Sequence, residues 1–338
     1  MSYILITGGL GYIGSHICLE LLHPYSGQQN YNIIIIDNLS HSSIDVLDKL
    51  RSSWNEQTKL IFYQNNYGDL TILNEIFSQY LIYAVIHLAA YKSTKLSCLD
   101  PLSYYDNNVS NTINLLMVMN EYNCKKIIYS SSATVYGDAI FPVSEDQKVG
   151  LNITNPYGQS KYFIEKILED CYHSNNEWSI IILRYFNPIG AHPSGLLGDN
   201  LNDIPENLFP YILKVIRGDL DILNIFGNDY NTLDGTCIRD YIHICDLSEA
   251  HVLSIKKFIE CGVHIYNLGY GQGISVLELV QTFQSICGIN IPYKFVDRRQ
   301  GDLPVVYADI TKATMELGWY PKRTIEEMCL DGYRYLNI

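Results

Sequence analysis

In the stretch NPYGQSKYFIEK, Tyr157 and Lys161 are four residues apart, so on a helix they share a face. A phenol that gives up and takes back a proton beside a fixed ammonium is a general base and acid for interconverting an alcohol and a carbonyl. A free phenol has a pKa of ~10 and is a poor base at neutral pH. Bringing it to ~7 takes roughly 4 kcal/mol of preference for the phenolate, which two neighbouring cations can supply in a partly desolvated site. Lys161 is one such cation, and a positively charged ligand beside it would be the second. Upstream, KIIYSSSATVYG ends in hydroxyls, and Ser132 can hydrogen-bond both an alcohol and the carbonyl made from it. Singly these residues are ordinary: most Tyr–Lys pairs at this spacing are solvated helix faces, and most serines at strand ends are turns.

The elements that must position them can be read from the same sequence. Pro156 suits the first turn of a helix and Asn155 suits its cap, which predicts a helix opening at NPYG. Ser132 closes one of six β-branched runs, YILIT, IIIID, LIFYQ, AVIHLA, KIIYSSS and SIIILRYF, which lack polar alternation as parallel strands covered on both faces do. Amphipathic stretches separate them, among them Asp69 to Tyr80 and Pro101 to Tyr122. Repeating βα units predict an α/β fold with a doubly wound parallel sheet of Rossmann type, with ligands at the carboxyl ends of its strands. Alternation stops after Phe186, at the Gly-, Pro- and Asn-rich NPIGAHPSGLLGDN. Residues 1–186 therefore read as one domain and 187–338 as a smaller mixed α/β domain, with helices predicted near 211–217, 246–258 and 275–287.

A cofactor site is expected at the other end of the sheet sequence. Gly8, Gly11 and Gly14 of TGGLGYIG follow the first strand and open a helix near Tyr12. Such a loop needs a tight turn, close backbone approach to phosphate and a helix N-terminus facing the pyrophosphate. Asp37 closes the second strand, where a carboxylate can bind the adenosine ribose 2′-hydroxyl and repels a 2′-phosphate, so NAD is expected rather than NADP. The plainer reading of Asp37 is a turn residue before Asn38.

Bulk properties exclude other classes. Hydrophobic residues make up 47% and charged residues 17%, as in folded globular chains. A net charge of −13 disfavours nucleic acid and anionic membrane as partners, so an anionic ligand would need arginines focused locally. Nine cysteines with no CxxC pair predict reduced thiols, no metal site is expected, and the opening MSYILITGG carries no signal segment, which predicts a cytoplasmic location.

Together these signals resemble the extended short-chain dehydrogenase/reductase superfamily, and within it the UDP-glucose 4-epimerase family. The matching stretches are TGGLGYIGSH, IDNLS, VIHLAA, PLSYYDNNV, SSSATVYGD, NPYGQSK, LRYFNPIGAHPSG, IFGNDY, DGTCIRDYIH, HIYNLG and GDLP, spread over the whole chain. The resemblance implies reversible 4-epimerisation of a UDP-hexose through a 4-keto sugar, with NAD held throughout. It makes Tyr157 the acid–base, Lys161 the group that orients the nicotinamide ribose and lowers the phenol pKa, and Ser132 the ligand of the reacting oxygen. It implies NAD contacts at Gly8, Gly11, Tyr12, Ile13, Gly14, Asp37, Asn38, Asn66, Leu88, Ala89, Lys92, Asn107, Ser132, Tyr157, Lys161 and Phe186. It implies UDP-sugar contacts at Ser132, Tyr157, Asn187, Asn207, Leu208, Asn224, Ile225, Phe226 and Val306. Arg239 and Arg299 fall at its diphosphate contacts, and Asp302 at a uridine ribose contact. The family also implies a homodimer built on the helices after Pro101 and Pro156, to which Leu115, Met117 and Val118 contribute either surface or core.

Some residues depart from the family pattern. Asn66 replaces an acid facing adenine, which leaves an amide oxygen to accept from the adenine amino group without charge assistance. AAYKSTKLS lacks the usual glycine–glutamate pattern, and HPYSGQQNYN lengthens the loop before the second strand. Val306 is small where the family gates the sugar C2 substituent, which predicts that N-acetylhexosamines are accepted too; the plainer reading is an ordinary strand valine beside a pocket closed by other residues. Three rivals are a nucleotide-sugar 4,6-dehydratase, a decarboxylating or C5-epimerising relative, and a non-catalytic NAD-binding regulator. The first is disfavoured because Ala133 and Thr134 follow Ser132 where an acid–base pair is needed, the second by the quality of the 4-epimerase match, and the third by intact Ser132, Tyr157 and Lys161.

Overall fold

The structure, a computed structural model, describes residues 2–22, 30–53, 58–201, 205, 207–299 and 301–336. Residues 23–29 of the lengthened loop lie outside them. Two compact units form, one of residues 1–138, 147–184 and 248–266, the other of 139–146, 185–247 and 267–338.

The first unit runs β1 (Tyr3–Thr7), α1 (Tyr12–Leu22), β2 (Asn32–Asp37), α2 (Asp45–Ser52), β3 (Leu60–Gln64), α3 (Leu70–Gln79), β4 (Ile82–His87), α4 (Thr94–Leu99), α5 (Pro101–Tyr105), α6 (Asn111–Glu121), β5 (Lys126–Ser132), α7 (Pro156–Ser174) and β6 (Ser179–Tyr185). From one edge, the seven-stranded sheet is ordered Gly262–Leu268, β6, β5, β4, β1, β2, β3. β1 pairs in parallel with β2 and β4, so Leu5 faces Ile34 on one side and Val85 on the other. Ile33, Ile34, Ile35 and Ile36 are fully buried, which is why these runs carry no polar alternation. Each such side chain contributes about 1.5–3 kcal/mol on burial. The chain winds outward from β1 to β3 and then returns to the other side at β4. The carboxyl ends of β1 and β4 therefore flank the reversal point where such sheets bind ligands.

A single cut after Phe186 does not describe the division between the units. The strand Gly262–Leu268 returns to the first sheet as its edge, tied by Gly262 N–H to Trp178 O at 2.9 Å and Ser179 Oγ to Glu260 O at 2.8 Å. Conversely, Val143 bridges to Ala308 and so carries 139–146 into the second unit. The stretch from Pro101 to Tyr122 is helical but broken by a π-helical turn at Asp106–Ser110.

The second unit is mixed, as expected of a smaller α/β domain. Asn187–Ile189 pairs in parallel with Tyr241–His243, and Leu223–Phe226 with Tyr293–Val296. Ile238–Arg239 lies between Ile274–Ser275 and Val305–Val306, with Val306 in register with Arg239. Helices Leu208–Arg217, Val276–Cys287 and Ile325–Leu336 cover a core that includes Phe209, Leu213, Ile225, Leu279 and Phe283. The middle helix starts with a capping box of Ser275 and Glu278.

Candidate active site

In the first unit, α7 starts where the sequence predicts. Asn155 Oδ1 accepts the Gly158 N–H at 2.9 Å, and Pro156 occupies the first turn. A Cβ on Gly158 would meet Ile153 at 2.7 Å and Thr134 at 3.3 Å, so glycine lets the helix start press against the turn that follows Ser132. Ser132 hydrogen-bonds the Tyr157 hydroxyl. Lys161 Nζ donates to Ser130 O at 2.6 Å and lies 5.9 Å from the Tyr157 ring centre and 5.0 Å from that of Tyr129. The three residues are therefore brought together at the carboxyl end of β5.

The electrostatics differ from the sequence expectation. Burial raises the Tyr157 pKa, the Ser132 hydrogen bond lowers it, and Tyr104 raises it, for a net rise. Burial also pulls Lys161 down to about 7, opposed by Glu165. The polypeptide alone thus favours the neutral phenol, and a cation added to the site would favour the phenolate.

The glycine loop suits a dinucleotide. Gly8 has φ +70°, and a Cβ there would stand 3.0 Å from the Ala89 backbone. A Cβ on Gly14 would stand 2.3 Å from Gly8 O, so α1 packs directly on the turn with Tyr12 and Ile13 in its first turn. Asp37 has both the structural role and room for the binding one. Oδ1 accepts Leu39 N–H and Ser42 Oγ, while Oδ2 accepts Leu10 N–H at 3.1 Å, and a carboxylate oxygen can accept a further donor. Exposed Asn38 turns back to accept Ser40 N–H. Exposed Asn66 accepts Gly68 N–H at 2.8 Å through its amide oxygen, which can accept a second donor. Lys92 is exposed, Asn107 is buried with its carbonyl accepting Tyr67 OH, and Phe186, in the second unit, is buried with its N–H on Leu268 O.

Several contributors carried no separable signal in the sequence. Thr7 Oγ1 accepts the Leu88 and Ala89 N–H groups and donates to His87 Nδ1 at 2.7 Å. His87 Nε2 then donates to Thr112, which donates to Asn108 O, so one tautomer satisfies the whole chain. Burial, with Lys161 adding to it, pushes His87 down to about 3 and keeps it neutral. Asn108 clamps the Tyr91 backbone through both its amide atoms and donates to Ser160 on α7. Asn107 and Asn108 lie on a π-helical turn that becomes visible only in the structure, and such turns favour functional positions.

In the second unit, Arg239, Arg299, Asp302 and Phe226 gather. Arg299 makes two N–H bonds to the Asp302 carboxylate, at 2.9 and 3.2 Å, and lies 5.8 Å over the Phe226 ring. Arg239 is held by Leu303 O and lies 3.5 Å from Asp302. Two guanidinium groups against one carboxylate leave one net positive charge in an acidic chain, as a diphosphate anchor requires. Val306 is beside Arg239 by register. Asn187 donates twice to Asp240 O, through its N–H and Nδ2. Asn224 Nδ2 reaches Tyr211 OH, and the Ile225 side chain is buried in the core, which leaves only its backbone for a ligand. Asn207 and Leu208 sit at the start of the helix that carries Tyr211.

With this geometry in place, a family model described as GDP-mannose 4,6 dehydratase matches residues 5–331. A Bacillus subtilis UDP-glucose 4-epimerase is 48% identical over 98% of this chain and 96% of its own length. The chain belongs to the UDP-glucose 4-epimerase family. A structure of the Bifidobacterium longum UDP-glucose 4-epimerase in complex with NAD+ and UDP is 42% identical with TM-score 0.93, covering 99% of this chain and 98% of that one. One from Stenotrophomonas maltophila, with bound NAD and formylated UDP-arabinopyranose, is 38% identical with TM-score 0.93 over 100% of this chain and 98% of that one. The dehydratase description covers the wider superfamily. In this epimerase-family chain the turn after Ser132 starts with Ala133 and Thr134, which have no carboxyl group.

Proposed function

We propose that this protein interconverts UDP-galactose and UDP-glucose by reversible 4-epimerisation with NAD as resident cofactor. The observation that carries this reading is Tyr157 with Ser132 at its hydroxyl and Lys161 one turn behind, in a chain of this family. Tyr157 takes the proton of the sugar 4-hydroxyl and later returns it, while Ser132 holds that oxygen in both its alcohol and carbonyl forms. Bound NAD would supply the hydride acceptor and donor at C4, and its positive ring the cation that lowers the phenol pKa. Gly8, Gly11, Gly14 and the α1 N-terminus are assigned to its pyrophosphate and Asp37 to its adenosine ribose. Arg239 and Arg299 are assigned to the UDP diphosphate and Asp302 to the uridine ribose. Firm nucleotide anchoring with a loosely held hexose lets the 4-keto sugar present its other face.

The small Val306 side chain, in register with Arg239, supports acceptance of an N-acetyl group at C2, so UDP-N-acetylgalactosamine is proposed as a second substrate. A homodimer is also proposed. Leu99, Leu102 and Met117 on α4 to α6, and Phe163 on α7, expose apolar surface, whereas Leu115 and Val118 belong to the core. Among the described residues no helix is long and apolar enough to cross a membrane, and a cytoplasmic location is proposed. Proton NMR of an equimolar mixture of UDP-galactose and UDP-N-acetylgalactosamine, with no NAD added, tests the reading. Both gluco products are expected. UDP-glucose alone would remove the Val306 assignment, and no product even after NAD is supplied would remove the function.

A further inference from the structure

Lys161 is almost wholly buried, 3% exposed, and a buried ammonium needs a nearby acid to stay charged. One helical turn further along α7 is Glu165, which is fully buried. Its Oε1 accepts Ser131 Oγ at 2.5 Å and Arg184 Nε at 3.0 Å, and its Oε2 accepts Arg184 Nη2 at 2.8 Å. Arg184, on β6, extends the network by donating to Tyr136 OH at 2.9 Å.

Two consecutive residues of β5 are thus bonded to α7. Ser130 O receives Lys161 Nζ, and Ser131 Oγ donates to Glu165. The next residue is Ser132, and Tyr136 closes the 3-10 turn that follows it. The segment that carries Ser132 is therefore held on both sides by one carboxylate–guanidinium pair. A well-packed apolar pair would fill the same space with equal or better stability, so stability alone does not account for charges here.

The geometry points to Glu165 as a positioning residue for the Lys161–Tyr157 pair, its carboxylate fixing the strand end that bears Ser132 and supplying negative charge one turn from the buried ammonium. This rests on the proposed acid–base role of Tyr157. The groups facing the pair are Tyr129 on β5, neutral His87 on β4, Tyr104 on α5, and Arg184 on β6 behind Glu165. Glu165 opposes the effect of burial on Lys161, so its loss makes Lys161 give up its proton at lower pH.

The test is the pH profile of kcat/KM for UDP-galactose in the holoenzyme, alongside UDP affinity and bound NAD. Glu165→Gln is compared with the charge-free double variant Glu165→Met/Arg184→Met, which leaves no buried charge unpaired, and with Ser131→Ala, which removes one hydrogen bond and no charge. In both Glu165 variants kcat should fall about tenfold or more and the alkaline limb should move acidward by about half a pH unit or more, with UDP affinity within about twofold. Ser131→Ala should lower kcat by about threefold to tenfold with the limb in place. An unmoved limb together with wild-type kcat in a Glu165 variant, or wild-type kcat in Ser131→Ala where neither Glu165 variant folds, overturns the inference. A wild-type protein that does not turn over UDP-galactose overturns the functional reading instead.

Discussion

Glu165 in the first unit and Asp240 in the second are both completely buried, and these two carboxylates are compensated in opposite ways, while Asp246 of the second unit, also buried, pairs with Arg323. Glu165 in the first unit is met by a guanidinium and a hydroxyl, all from side chains. Asp240 in the second is met by backbone: Oδ1 accepts Tyr270 N–H at 2.5 Å, and Oδ2 accepts Gly271 and Ala308 N–H at 3.1 and 3.0 Å. Gly269 must be glycine for this, since a Cβ there would stand 2.4 Å from Asp240 Oδ2. Even with three donors, burial raises Asp240 to about 6. The ion pair holds side chains at the end of β5, beside the residues proposed to move the proton. The backbone cradle instead ties the strand that carries Arg239 to the segments of Tyr270 and Ala308, next to residues proposed to hold the nucleotide.

Removing one partner of the ion pair should produce the largest effect. Arg184→Met leaves Glu165 buried and unpaired, and urea unfolding should show a loss of about 3–5 kcal/mol. A loss under about 1 kcal/mol would mean that water or another group replaces the guanidinium, and the contrast with Asp240 would collapse.

Asp240→Asn should cost less, about 1–3 kcal/mol, because its amide nitrogen must face at least one N–H donor while the oxygen keeps the others. The pH dependence sharpens this. Asp240 has its folded pKa, about 6, above the ordinary 3.8, so its stabilising contribution is full below about pH 4 and is lost as pH rises through about 6. Wild-type stability relative to the variant should therefore fall by on the order of 2–3 kcal/mol across that window. A constant difference would show that the carboxyl does not titrate there. Tyr136→Phe should be the mildest, about 1 kcal/mol, because it removes one hydrogen bond from Arg184 and leaves the ion pair intact.

The same contrast explains what was legible in the sequence. The Gly8–Gly11–Gly14 turn, the Asn155–Pro156 helix start and the Tyr157–Lys161 spacing are local, and each can be read within a dozen residues. Six strands could be read because each is a short, mostly apolar run, and all but the half-buried edge strand β3 are covered on both faces. The edge strand Gly262–Leu268 carries a histidine and an asparagine, and its return to the first sheet depends on long-range pairing. Arg184, Glu165 and Asp240 were hidden for a similar reason. A buried charge is recognisable only once its partners are in place, and those lie 19 to 68 positions away. The Tyr157 pKa shows the limit in another form: the spacing to Lys161 was right, but the burial that dominates it belongs to the fold.

The phenol of Tyr157 is proposed to carry the proton of the reacting 4-hydroxyl. The most direct test is Tyr157→Phe, with UDP-galactose turnover and UDP affinity measured on the same preparation. The prediction is a kcat lower by about 10²–10⁴-fold with UDP affinity within about twofold of wild type. Turnover within about tenfold of wild type would contradict it, because the proton would then be moving through some other group.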